Sequence, residues 1–253
     1  MRMTLSALIF LILSSSVFAF DHTHKKWDVV LKQFVESFQQ TTVVDYKALK
    51  TSPEKLDDYL KTLSAVSKSD YETFSKSEKL AFLINAYNAF TLKLIINHYP
   101  VKSIKDIGSF LSSPWKQKFF RLLGTNIHLD GIEHDMIRAH FDEPRIHFAV
   151  NCASIGCPSL LTEAFVANRL EQQLEQAAKN FLTDESRNRF EPSTNTLYLS
   201  QIFEWYGDDF KNVGGVRSFV SSRMAKGPQV QEKIKTAKLE YLDYNWNLNQ
   251  KTD

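Results

Sequence analysis

Glycine and proline are sparse, 8 and 7 among 253 residues, so neither a fibre-forming repeat nor a low-complexity linker protein fits this chain. With 2 Cys, a disulfide-stapled miniprotein is excluded as well. Neither charge sign is in excess: 31 Lys and Arg stand against 29 Asp and Glu, and no basic stripe advertises a nucleic-acid partner. No glycine-rich phosphate loop occurs, and no cofactor is expected. What the chain does have is apolar material, 43% of its residues, with 13% aromatic. That is ample for a core and too much for a disordered chain. Without repeats or Gly/Ser-rich linkers between residues 22 and 250, one globular domain over residues 20–253 is the simplest organisation.

Long apolar runs are few. The first, Leu5 to Leu13, follows Arg2 and passes through Ser14, Ser15 and Ser16 to Val17 and Ala19. A basic start, a short apolar stretch and small residues at the last and third-last positions predict a signal peptide over residues 1–19, cut after Ala19. The run is too short to span a bilayer comfortably. The expected product is exported to the periplasm or the medium, without a membrane span.

Periodicity supplies the elements. Trp27, Val30, Leu31, Phe34, Val35 and Phe38 form one helical stripe, followed by an extended piece over 43–46. Pro53 opens a helix carrying Leu56, Tyr59, Leu60 and Leu63. Residues 80–96 are apolar nearly all round and predict the central helix of the core. A hairpin is expected over 118–129, turning at Gly124-Thr125-Asn126. Asp130 and Glu133 have capping-box spacing. Arg145 to Cys152 reads as a buried strand, 168–181 as an amphipathic helix, and 197–199 and 238–248 as further strands. The fold class is α+β, a helix-rich domain around a small, mainly antiparallel sheet.

Five ordered blocks carry a family resemblance. They are Leu80 to Ala89; Ile132-Glu133-His134 with Arg138; Arg145 to Ser154 with Gly156-Cys157-Pro158; Ile202 to Tyr206 with Asp208 to Phe210; and Tyr244 to Asn249. Together they resemble the domain-of-unknown-function family 547. That resemblance implies one domain, seen in exported bacterial proteins and in plant proteins, and a shared patch around these blocks, with no settled activity. A more distant likeness to papain-like or transglutaminase-like folds lacks their usual order of Cys at a helix start before His on a strand.

The candidate chemistry centres on Cys152. Strand alternation would turn His147 to the opposite face, so His134 is the expected general base, with Glu133 or Asn88 orienting it. Asn85, Asn88, Arg145 and His147 are the candidate substrate-binding residues; the first reading of the two asparagines, one turn apart on the central helix, is as structural clips to the loop around Cys152. Competing with a reactive Cys152 is a disulfide to Cys157, five residues on and in an oxidising compartment. Glu133 has a second reading as a helix cap, and Arg138 and Arg145 as internal ion pairs to Asp142 or Asp209. No metal site is expected, because His134 and His140 sit six residues apart rather than three or four. Two functions remain open: a cysteine-dependent hydrolase or acyl transferase acting on peptide or cell-wall material, or a non-catalytic periplasmic module that binds a peptide or glycan and keeps a structural Cys152–Cys157 disulfide.

Overall fold

The computed structural model describes residues 19–108 and 112–252, so the expected signal peptide lies outside the described residues except for Ala19. Helix α1 (Lys25–Phe34) buries Trp27, Val30, Leu31 and Phe34. It ends earlier than its apolar spacing suggests. Val35–Phe38 leaves the helix as strand β1 and pairs antiparallel with β2 (Thr41–Val44), which leaves Phe38 52% exposed. The β-branched run Thr41 to Val44 provides a ladder partner, and ladder bonds win over continuation of the helix. Asp45 then accepts from the Ala48 N–H and caps α2 (Tyr46–Thr51).

Helix α3 (Glu54–Ala65) follows Pro53 and buries Leu56, Tyr59, Leu60 and Leu63. The short α4 (Lys68–Thr73) leads to α5 (Lys76–His98), which starts with a capping box between Ser75 and Glu78. Helix α5 is long and apolar enough to cross a bilayer, yet 89% of its most apolar stretch is buried inside the protein. It is the axis of the core. Its two asparagines are also buried, and each is spent on backbone. The Asn85 side chain donates to the Phe165 carbonyl (2.7 Å) and accepts from the Phe165 N–H (3.0 Å). Asn88 donates to the Ala149 carbonyl (2.9 Å) and accepts from the Asn151 N–H (2.8 Å). Two irregular loops, which have few ladder partners of their own, are thereby satisfied from the helix.

Strands β3 (Phe120–Leu122) and β4 (Thr125–Ile127) form the expected hairpin, with its turn one residue earlier than the sequence suggests. Leu123 and Gly124 have φ of 49° and 79°, the left-handed pair that a two-residue hairpin turn requires. Gly131–Arg138 is a wide π-helical turn, with Ala139 N–H bonded to the His134 carbonyl. Asp130 makes no side-chain cap there, so the capping reading of Glu133 is corrected.

The expected strand over 145–152 is corrected too. Pro144–Phe148 is a 3-10 turn, opened by Pro144 and by the Glu143 carboxylate, which accepts from the Arg145 N–H. Proline at the first position favours a helical start, and Ala149 and Val150 N–H close back on Ile146. The β-branched content that suggested a strand serves burial instead.

After α6 (Leu170–Leu182), strands β5 (Arg189–Glu191), β6 (Thr196–Ser200) and β7 (Lys238–Leu242) form a three-stranded sheet in the order β5-β6-β7. The β6–β7 pairing is parallel, with α7 (Ile202–Trp205), α8 (Gly215–Met224) and α9 (Pro228–Thr236) lying between them in sequence. The protein is thus α+β; the described residues form three small sheets rather than one, antiparallel apart from β6–β7.

Buried side chains gather in two clusters. One surrounds α5; the other holds Phe148, Phe181, Leu197, Phe203, Phe210 and Phe219. The turn at 144–150 stitches them, with Ile146 and Ala149 in the first and Phe148 in the second. The C-terminal segment returns to the start of the fold: Val44 N–H bonds the Asn249 carbonyl, Lys251 N–H bonds the Val44 carbonyl, and the Tyr46 hydroxyl donates to Asn249 Oδ1 (2.7 Å).

Candidate functional site

A pocket of about 290 Å³ opens beside the stitching turn. Tyr87 of α5 and Val150 come from one core cluster, and Ile202 of α7 belongs to the other. The π-helical turn contributes Glu133 and His134, and Trp115, Trp205, Tyr206, Tyr244 and Trp246 supply aromatic wall. Such wide turns place side chains at angles that an α-helix does not offer.

Tyr244 and Trp246 reach the pocket because the last segment is pinned to the loop at 153–156. Ile155 N–H bonds the Asn247 carbonyl and Gly156 N–H the Asn245 carbonyl (both 2.8 Å). Gly156 is required there, since a Cβ would come within 2.9 Å of the Tyr244 ring. Trp205 and Trp246 are stacked at 5.7 Å, and Tyr244 lies 4.5 Å from Trp246.

At the polar end, Glu133 is buried. The hydroxyls of Tyr87 and Tyr206 turn to it; burial first, and then the Glu133 charge, hold both phenols protonated well above the ordinary tyrosine range. Asp130, partly buried beside Glu133, has its carboxyl pushed up, mainly by desolvation. Behind them runs a chain of charge-assisted bonds. Arg138 grips Asp209 through Nε (2.6 Å) and Nη2 (2.8 Å), and the same carboxylate meets His147 Nε2 at 2.7 Å. These bonds hold the Asp209 carboxyl far below its usual range, with Arg138 the leading cause and His147 next. An ionised carboxylate only accepts, so His147 Nε2 carries a proton. The His147 ring stacks on Tyr206 at 4.0 Å. Arg138 Nη1 also meets His134 Nδ1 at 2.9 Å, and because arginine cannot accept, that nitrogen accepts.

The two cysteines form part of the same wall. Cys152 and Cys157 are disulfide-bonded, their Cα atoms 6.1 Å apart. The Tyr244 hydroxyl lies 3.2 Å from each sulfur, and the Cys152 N–H donates to Cys157 Sγ (2.9 Å).

Set against the sequence, the structure gathers Glu133, His134, His147, Cys152 and Cys157 around one pocket. The strand alternation that separated His147 from Cys152 does not apply, because no strand is present and both line the cavity. A thiolate at Cys152 with His134 as its base is corrected for this oxidised form: the sulfur is bonded to Cys157, and His134 is engaged by Arg138. Asn85 and Asn88 act as the loop clips of their first reading, and neither lines this pocket. Arg145 is corrected as well; it is held away from the pocket by Glu143 (2.6 Å) and Glu171 (2.6 Å), and not by Asp142 or Asp209. The Arg138–Asp209 pair is present. Sequence reasoning passed over Tyr87, the contact of Asp209 with His147 and the wall role of Tyr244 and Trp246. For Tyr87 a signal existed: it lies between two asparagines of a helix that is otherwise apolar.

Helices gathered around small sheets, with a pocket where two core clusters meet, define an α+β protein with an aromatic-walled cavity beside a disulfide. Residues 71–182 match the model of a family of proteins of unknown function, DUF547, which supports the resemblance carried by the five blocks. The matched stretch includes Tyr87, Glu133, His134, His147 and both cysteines; Tyr206, Asp209, Tyr244 and Trp246 lie beyond it. No curated protein and no solved structure matches the chain, so the papain-like or transglutaminase-like likeness gains no support.

Proposed function

We propose that the protein is an exported, non-catalytic binding module whose aromatic pocket takes a glycan, with the Cys152–Cys157 disulfide as a fixed part of the wall. The carrying observation is the pairing of flat aromatic faces with buried acceptors. Trp205, 45% exposed, stacks on Trp246 at the mouth, and Glu133 lies buried within. Sugar rings present apolar C–H faces to indoles and hydroxyl edges to carboxylates and imidazoles, which matches this lining. A peptide is the other ligand class that such a wall accepts. The hydrolase reading needs a thiolate, which a sulfur in a disulfide does not provide.

Titration calorimetry with soluble cell-wall glycan fragments tests the reading. Trp205→Ala weakens binding by about tenfold or more and costs about 1–2 kcal/mol of stability through its lost ring contacts with Tyr244 and Trp246, leaving the protein folded. Wild-type protein that ignores glycans but binds peptides moves the pocket to the other ligand class. Protein that binds neither sinks the module reading. In parallel, native protein kept free of reductant takes up no iodoacetamide at Cys152. Labelling there, lost in His134→Ala, would return the enzyme reading.

A further inference from the structure

Cleavage after Ala19, part of the export reading on which this inference rests, leaves Phe20-Asp21-His22 at a new amino terminus. A histidine third from a free amine can bring four nitrogens around one ion: the amine, two main-chain nitrogens and imidazole Nδ1. Square-planar nitrogen sets suit Cu(II) and Ni(II). We propose that the mature chain binds one Cu(II) through the Phe20 amine, the main-chain nitrogens of Asp21 and His22, and His22 Nδ1.

The local structure leaves those atoms free. His22 Nδ1 is shielded from solvent and has no hydrogen-bond partner; the nearest carboxylate oxygen, on Glu78, is 3.8 Å away. Among the described residues, hydrogen bonds of this turn leave from Thr23, His24 and Lys25 toward Asp21, and none leaves from the main-chain nitrogens of Asp21 or His22. An open cavity borders Phe20, Asp21 and His22, so the terminus has room to turn onto the imidazole. The rings hold the segment in place, with His22 edge-on to Phe74 at 4.3 Å and Phe20 against Phe82 at 5.2 Å. Among the described residues no group of three or more His, Cys, Asp or Glu side chains could hold a metal ion. The site proposed here draws most of its ligands from the main chain.

Binding breaks N–H bonds at the terminal ammonium and at the two amides. Their electron pairs remain on nitrogen and form the bonds to copper, and the protons pass to solvent. Copper stays divalent, so no oxidant or reductant is required. Proton release accompanies uptake, as for any site whose ligands must be deprotonated.

The test uses exported full-length mature protein, its first residue established by amino-terminal sequencing and then titrated with copper chloride near neutral pH. One equivalent of copper is expected, with the visible absorption band and the nitrogen-split electron spin resonance signal of a four-nitrogen square-planar site. His22→Ala loses both signals. So does a chain with one alanine inserted between Ala19 and Phe20, which keeps the imidazole but moves it to the fourth position. His140→Ala, an exposed histidine elsewhere, keeps them. A four-nitrogen signal that survives in either the His22 or the insertion variant overturns the assignment. A Phe20 terminus without the signal overturns the copper site alone, whereas any other terminus overturns the cleavage and the copper site together.

Discussion

Asp184→Ala lowers the unfolding free energy by about 3–5 kcal/mol, as the loss of one partner from a buried ion pair does. Arg187 and Asp184 are 9% and 10% exposed and meet at 2.6 Å. The guanidinium also donates to the Ile155 carbonyl (2.6 Å) and to Thr41 Oγ1 (3.2 Å). It therefore ties three places together: β2, the disulfide loop and the end of α6. Burial pulls Arg187 below its ordinary pKa and Asp184 opposes that pull, yet an arginine stays charged in either case. Without Asp184 the charge has only neutral partners. Urea unfolding at neutral pH measures the loss. The double variant Asp184→Ala/Arg187→Met recovers most of it, because no buried charge is then left behind. A loss below about 1 kcal/mol in Asp184→Ala would show that the pair is open to water and counts for little.

Acid weakens the protein by about 3 kcal/mol between pH 7 and pH 4 through His24 alone. Its imidazole is buried, with Nδ1 against the Tyr59 hydroxyl at 2.7 Å and Nε2 without a partner. Burial is the main cause that pulls its pKa from 6.5 down to about 4, His22 adds to the fall, and Asp21 opposes it. As pH drops through 6.5 the unfolded chain takes up this proton while the folded chain refuses it until about 4. Stability accordingly falls across that window and then levels off. Asp209 acts in a different range: its carboxyl is depressed in the fold, so its contribution is present above about pH 4 and fades only below it. Chemical unfolding at several pH values compares wild type with His24→Asn, which suits the left-handed backbone at position 24 (φ 50°) and does not titrate. Equal stability of the wild type at pH 7 and pH 5 would disprove the assignment.

Much of the fold was legible because it depends on local rules. The unbroken apolar run of α5, the stripe of α3 and the glycine of the hairpin each encode their own geometry. Where the reading failed, the deciding partner lay elsewhere in the chain or in a bonding pattern that leaves no periodic trace. Val35 to Phe38 fits a helix until β2 offers a ladder. Arg145 to Cys152 has strand-like composition, but Pro144 and the Glu143 carboxylate set a turn, and Asn88, about sixty residues earlier, supplies the bonds that a neighbouring strand would have given. The site suffered from the same blindness. Glu133 has capping spacing from Asp130, and only the π-helical register shows that it faces two tyrosines instead of its own helix end.

The return of residues 248–251 to Val44 and Tyr46 also sets an order in time. Tyr46 and Asn249 are separated by 203 positions, and β2 lacks its last partner until the final few residues are present. The helices of the first half can gather early, since their contacts are near in sequence, whereas this seam closes after everything else. The seam then joins two segments about two hundred residues apart in one late step.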